Sequence, residues 1–77
     1  SSPIMSADVL GDRFIVGDRI YFSGRTKLKL TAVDNKAGIK QVKYSIDNNE
    51  FQNYEDPFYL PSKSGLHTVR YYAIDNM

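Results

Sequence analysis

Thr26-Lys27-Leu28-Lys29-Leu30-Thr31-Ala32-Val33 is the stretch that decides the fold class. Leu28, Leu30 and Ala32 share one parity, while Lys27, Lys29 and Thr31 share the other. Successive side chains of an extended chain point to opposite faces, so a period of two predicts a strand with one dry face and one wet face. A helix would need apolar side chains three and four positions apart, and no window of the chain supplies them without meeting Gly or Pro.

The alternation recurs on the C-terminal side. Val42, Tyr44 and Ile46 stand against Gln41, Lys43 and Ser45; Phe58 and Leu60 form a short pair; Val69, Tyr71 and Ala73 stand against Thr68, Arg70 and Tyr72. Turn chemistry separates these runs at Asn35–Gly38, Asp47–Glu50 and Pro61–Gly65. The adjacent Asn48 and Asn49 tolerate positive φ, as a tight hairpin turn requires, and lead into a short strand carrying Phe51 and Tyr54 that Asp56-Pro57 breaks. On the N-terminal side, residues 3–10 read as an edge strand. Arg13 to Val16 and Arg19 to Phe22 flank Gly17-Asp18 as a small hairpin. Short alternating strands with frequent turns predict an all-β sandwich. Residues 1–25 add an edge strand and a hairpin to a core over 26–77, one domain in total.

Composition narrows the chemistry. An apolar share of 42% and a charged share of 25% over 77 residues argue for a folded chain. The net charge of +1 lacks the basic excess of a nucleic-acid or membrane-surface binder, and no apolar run approaches the roughly 20 residues of a membrane-spanning helix. Without cysteine there is no disulfide framework or thiol nucleophile, and the lone His67 leaves no two-histidine metal site. No G-x-S-x-G elbow and no phosphate-cradling glycine loop occurs. The acidic residues flank Gly, Asn or Pro in turns, where they stay solvated rather than forming the paired carboxylates of a glycosidase. The expectation is therefore a protein that is not an enzyme and needs no cofactor. Tyr59 and Tyr72 fall on the outward parity and are the candidate ligand-binding residues, since an exposed phenol ring can stack on a sugar. Tyr also suits half-buried sheet positions without any ligand. Asp34, Asn35, Asp75 and Asn76 end two strands that run the same way and form the one candidate calcium set. The simpler reading, adopted here, is that Asp and Asn there bond their own backbone to start turns. Lys27, Lys29, Lys40 and Lys43 read as a solvated face.

Four segments together resemble a known family: Leu30-Thr31-Ala32-Val33-Asp34 with Gly38-Ile39; Tyr44-Ser45-Ile46-Asp47-Asn48; Tyr54 with Asp56-Pro57-Phe58; and Gly65-Leu66-His67-Thr68-Val69 through Tyr72-Ala73-Ile74-Asp75-Asn76. In order and spacing they resemble the immunoglobulin-like repeat modules of bacterial surface and outer-membrane proteins. The resemblance covers about residues 26–76. It departs at Ala37, where the family carries Ser, at Asn48-Asn49, where it carries Gly-Gly, and at Met77, where it carries a small residue.

The resemblance implies an immunoglobulin-like β-sandwich and a non-catalytic spacer, display or adhesion module of a larger bacterial cell-envelope or secreted protein. The alternative is a carbohydrate-binding module using Tyr59 and Tyr72. His67 would fill the structural corner at the start of the penultimate strand, its side chain bonded to nearby backbone. The implied partners are neighbouring domains of the same chain and a cell-surface glycan. The last strand-like run ends three residues before Met77, which predicts a piece of a longer protein whose sandwich lacks its last strand. Such an edge predicts either a strand-paired dimer or cover by residues 3–22.

Overall fold

The computed structural model describes residues 3–34 and 38–76. Eight strands follow one another: β1 (Ile4–Leu10), β2 (Arg13–Val16), β3 (Arg19–Phe22), β4 (Lys27–Val33), β5 (Ile39–Ile46), β6 (Gln52–Asn53), β7 (Phe58–Tyr59) and β8 (Val69–Asp75). No helix occurs among the described residues. One sheet has the order β1-β4-β7 and a second the order β6-β5-β8, while β2 and β3 pair only with each other. Every pairing is antiparallel. The two three-stranded sheets enclose the core in a sandwich-like arrangement.

The inward parity of β4 and β5 forms that core. Leu28 and Leu30 from β4, Val9 from β1 and Tyr44 from β5 are buried, with Met5, Ala7, Val42, Ile46, Phe58 and Val69 packed around them. Tyr44 stacks flat on Phe58 across the two sheets, centroids 4.0 Å apart, and Tyr54 meets both rings edge-on at 6.2 Å. Burying each leucine stabilises the fold by about 1.5–3 kcal/mol, and each aromatic pair adds about 0.5–1.5 kcal/mol.

Several expectations shift in detail. The tight turn after β5 holds positive φ at Asp47 (52°) and Asn48 (65°) rather than at the two asparagines. Asn49 N–H donates to Ile46 C=O at 3.1 Å, so the two central residues lie one position earlier. The strand expected to carry Phe51 and Tyr54 narrows to Gln52–Asn53. Tyr71 is on the core parity but 36% exposed, because β8 is the last strand of its sheet and has cover on one flank only. The N-terminal segment forms no strand pairing with β8 among the described residues. Its first strand pairs β4 in full register from Ile4↔Val33 to Leu10↔Lys27, and its hairpin pairs with neither large sheet.

Candidate functional site

His67 stands just before β8, and Asp47 just after β5. The register Ile46↔Val69 brings these two strand ends together. Backbone bonds extend the pairing by one step, since Asp47 N–H donates to Thr68 C=O at 2.8 Å. The Asp47 carboxylate then works on two donors: Oδ1 accepts from Thr68 N–H at 2.8 Å, and Oδ2 lies 2.6 Å from His67 Nδ1. On the other side of the ring, Nε2 lies 2.6 Å from the Lys63 carbonyl oxygen. Carboxylate and carbonyl oxygens only accept hydrogen bonds, so the ring satisfies both contacts at once when it is protonated. The hydrogen bond to Asp47, and after it the one to Lys63 C=O, holds the His67 pKa above its ordinary value. The same bond from His67, with that from Thr68 N–H, holds the Asp47 carboxyl below its own. This clasp ties the β5 turn to the 61–66 loop and the start of β8.

His67 thus contacts nearby backbone at Lys63. Asp47, its second partner, was assigned only a turn role by sequence. A hairpin turn sets its own register, but β5 and β8 are separated by more than 20 residues, so nothing local announces that position 47 faces 67 and 68.

Tyr59 and Tyr72 are both outward, at 49% and 43% exposure. They do not meet. Tyr59 pairs with Lys27 in the β1-β4-β7 sheet, whereas Tyr72 pairs with Lys43 in the β6-β5-β8 sheet. Each lies on the face turned away from the shared core, so they occupy opposite sides of the sandwich. Tyr59 is covered by cations, with Arg25 Cζ 4.3 Å and Lys27 Nζ 4.9 Å from the ring centroid. The hydrogen bond and charge of Arg25, with the charge of Lys27, lower the phenol pKa. Tyr72 meets Phe51 edge-on at 5.1 Å, an exposed aromatic pair that the sequence reading did not single out. Phe51 takes this place because Lys43 pairs with Asn53 on one side and Tyr72 on the other, and Phe51 lies two residues from Asn53.

The carboxyl-amide set is only partly within view, because Asn35 lies outside the described residues. Asn76 N–H donates to Gly38 C=O at 3.3 Å, which closes the β8 end against the start of β5. Asp34 follows the last residue of β4 and lies four residues before Gly38, so chain connectivity brings Asp34 and Asp75 to the same pole, with Asp47 at the other. Among the described residues no three His, Cys, Asp or Glu side chains gather where they could hold a metal ion. The lysines also divide: Lys27 and Lys29 belong to one sheet, and Lys40 and Lys43 to the other.

Two fully buried polar side chains lay outside the sequence expectations. Thr26 Oγ1 donates to Ser23 C=O at 3.1 Å, and Ser45 Oγ donates to Asn49 C=O at 2.7 Å. Both satisfy turn carbonyls, a structural task. Compared with models of protein families, with curated proteins and with solved structures, the chain matches none.

Proposed function

We propose that this chain is a non-catalytic, immunoglobulin-like module of a larger bacterial secreted or cell-surface protein, in which it spaces or displays neighbouring domains. The observation that carries this reading is the separation of Tyr59 and Tyr72 onto opposite faces. A sugar-binding surface would gather its outward aromatics into one patch of a few hundred Å². The body is also elongated, 40 × 25 × 19 Å, and cross-braced at one pole by the Asp47–His67 clasp. Such a body sets a distance between whatever is joined to it. The two ring nitrogens of His67 are engaged within the fold, which suits a bracing role better than proton transfer to a substrate. The resemblance in residues 26–76 supplies the bacterial-envelope location and the immunoglobulin-like assignment, and the reading calls for no cofactor.

The second reading is carbohydrate recognition, and the Phe51–Tyr72 pair is what favours it. A glycan-array and cell-wall pull-down screen on the folded chain separates the two. The spacer reading expects no binding above background. A hit that Tyr72→Ala or Phe51→Ala abolishes, with the fold intact by circular dichroism, would replace it with sugar binding on one face.

A further inference from the structure

The cations around Tyr59 carry an inference that goes beyond the spacer reading and does not rest on it. Thr26, Leu28 and Leu30 are buried, so Arg25, Lys27 and Lys29 take the opposite parity, on the outer face of the β1-β4-β7 sheet. Leu60 N–H donates to Thr26 C=O at 2.8 Å, so β7 runs alongside the chain past the first residue of β4 and Arg25 stays on that face. Tyr59 stands directly across from Lys27. The Arg25 guanidinium carbon lies 4.3 Å from its ring centroid and the Lys27 ammonium nitrogen 4.9 Å.

Counter-charge reaches only one end of this row. On the β1 side the register sets Asp8 opposite Lys29 but Leu10 opposite Lys27. On the β7 side Lys27 has Tyr59. Neither Arg25 nor Lys27 forms an ion pair among the described residues. Two like charges thus converge on one ring, a repulsion that an anion placed between them would reverse. Tyr59 contributes a third donor. Its hydroxyl oxygen accepts a hydrogen bond from Arg25, so its own O–H points elsewhere, and the two cations make it the more acidic. A ring face held by a guanidinium does not also stack on a sugar.

We propose that Arg25, Lys27 and the Tyr59 hydroxyl form a binding site for a phosphate monoester. The match is one of charge and of donor number. A phosphate monoester carries a charge of about −2 at neutral pH and three strong acceptor oxygens. The site offers two cations and three kinds of donor: a guanidinium fork, an ammonium and a phenol. A carboxylate has half that charge and only two oxygens. Residues two apart along a strand stand about 7 Å from each other, a spacing that one tetrahedral group bridges with an oxygen turned to each. Arg25 supplies the fork that engages two of the oxygens, and Lys27 acts as a point charge. The site lies on an exposed face, so the ester's fourth substituent can carry a larger molecule.

Two-dimensional NMR of the chain, titrated with glucose 6-phosphate and with inorganic phosphate at an ionic strength held constant by chloride, tests this. The expected result is a saturable shift centred on Arg25, Lys27 and Tyr59, with a Kd on the order of 1 mM for both. Glucose gives no shift, and glucuronate, with one charge, binds at least about fivefold more weakly. Arg25→Gln weakens the phosphate site at least about tenfold, and Tyr59→Phe, which keeps the ring and loses the O–H, about threefold. Lys29→Gln changes it less than about twofold, because Asp8 already faces that lysine. All three positions are exposed, and a melting curve verifies each fold. Shifts that never saturate, or that chloride reproduces, overturn the proposal. So does Lys29→Gln weakening the site as much as Arg25→Gln, which would show diffuse surface charge. Binding of inorganic phosphate without glucose 6-phosphate would overturn the monoester, and binding of glucose itself would make Tyr59 a sugar platform instead. Loss of this site would leave the spacer reading standing, since that rests on the separation of Tyr59 from Tyr72.

Discussion

At the scale of single residues, His67 and Asp47 make the fold pH-dependent in a direction that can be worked out. His67 has its pKa raised from 6.5 by the hydrogen bonds to Asp47 and Lys63 C=O. A raised base stabilises the folded state fully below the unfolded value and loses that contribution as pH climbs through the folded value. Asp47 is lowered from 3.8, so its contribution is present above that value and is lost as pH falls through the folded one. The clasp is therefore strongest between about pH 4 and pH 6.5. The melting temperature of the unmodified chain should fall from pH 6 to pH 9 more steeply than that of His67→Gln. Parallel curves would mean that His67 is not an imidazolium braced by Asp47. Much at this scale was legible beforehand. Parity alone turns Tyr59 and Tyr72 outward, and both are exposed. Asp47 was not assigned its partner role, because a cross-strand contact between chain segments some 20 residues apart depends on register, and no turn sets that register.

At the scale of elements, the strands divide into those that share a core and the pair that does not. The β2-β3 hairpin pairs only with itself, and its Phe14 and Ile15 are 67% and 60% exposed. Two strands without a packed face are marginal in water. Amide hydrogen exchange should therefore leave Phe14, Ile15, Ile20 and Tyr21 far less protected than Val42 to Ser45 of the central β5. Equal protection would show that the hairpin opens only with the whole domain. Period-two alternation and turn residues located the long strands and the small hairpin, because both signals are local. The lengths of β6 and β7 were less legible. Asp56-Pro57 announced a break, but how many residues pair on each side depends on where β4 and β5 pass.

For the molecule as a whole, stability rests on a small core. Phe58 carries the contact between the sheets, stacked on Tyr44 and edge-on to Tyr54. Phe58→Ala removes both ring contacts and should cost about 3 kcal/mol, the lower end for such a change because Phe58 is half-buried. Against a total of roughly 5–15 kcal/mol for a typical domain, that is a large loss. Urea denaturation should show it as a lower midpoint at an unchanged slope, and Phe58→Leu should recover part of it. A loss below about 1 kcal/mol would mean that the aromatic stack does not join the sheets. By itself the sequence determined the class, an all-β chain, along with its principal strands, its outward tyrosines and the absence of thiol chemistry. These follow from side-chain parity, turn preference and composition, which act over a few residues. Only the tertiary structure decided that Tyr59 and Tyr72 lie on opposite faces and that Asp47 holds His67. Each depends on which distant strands pair and in what register, and that is settled by burial of a shared core rather than by any local run of residues.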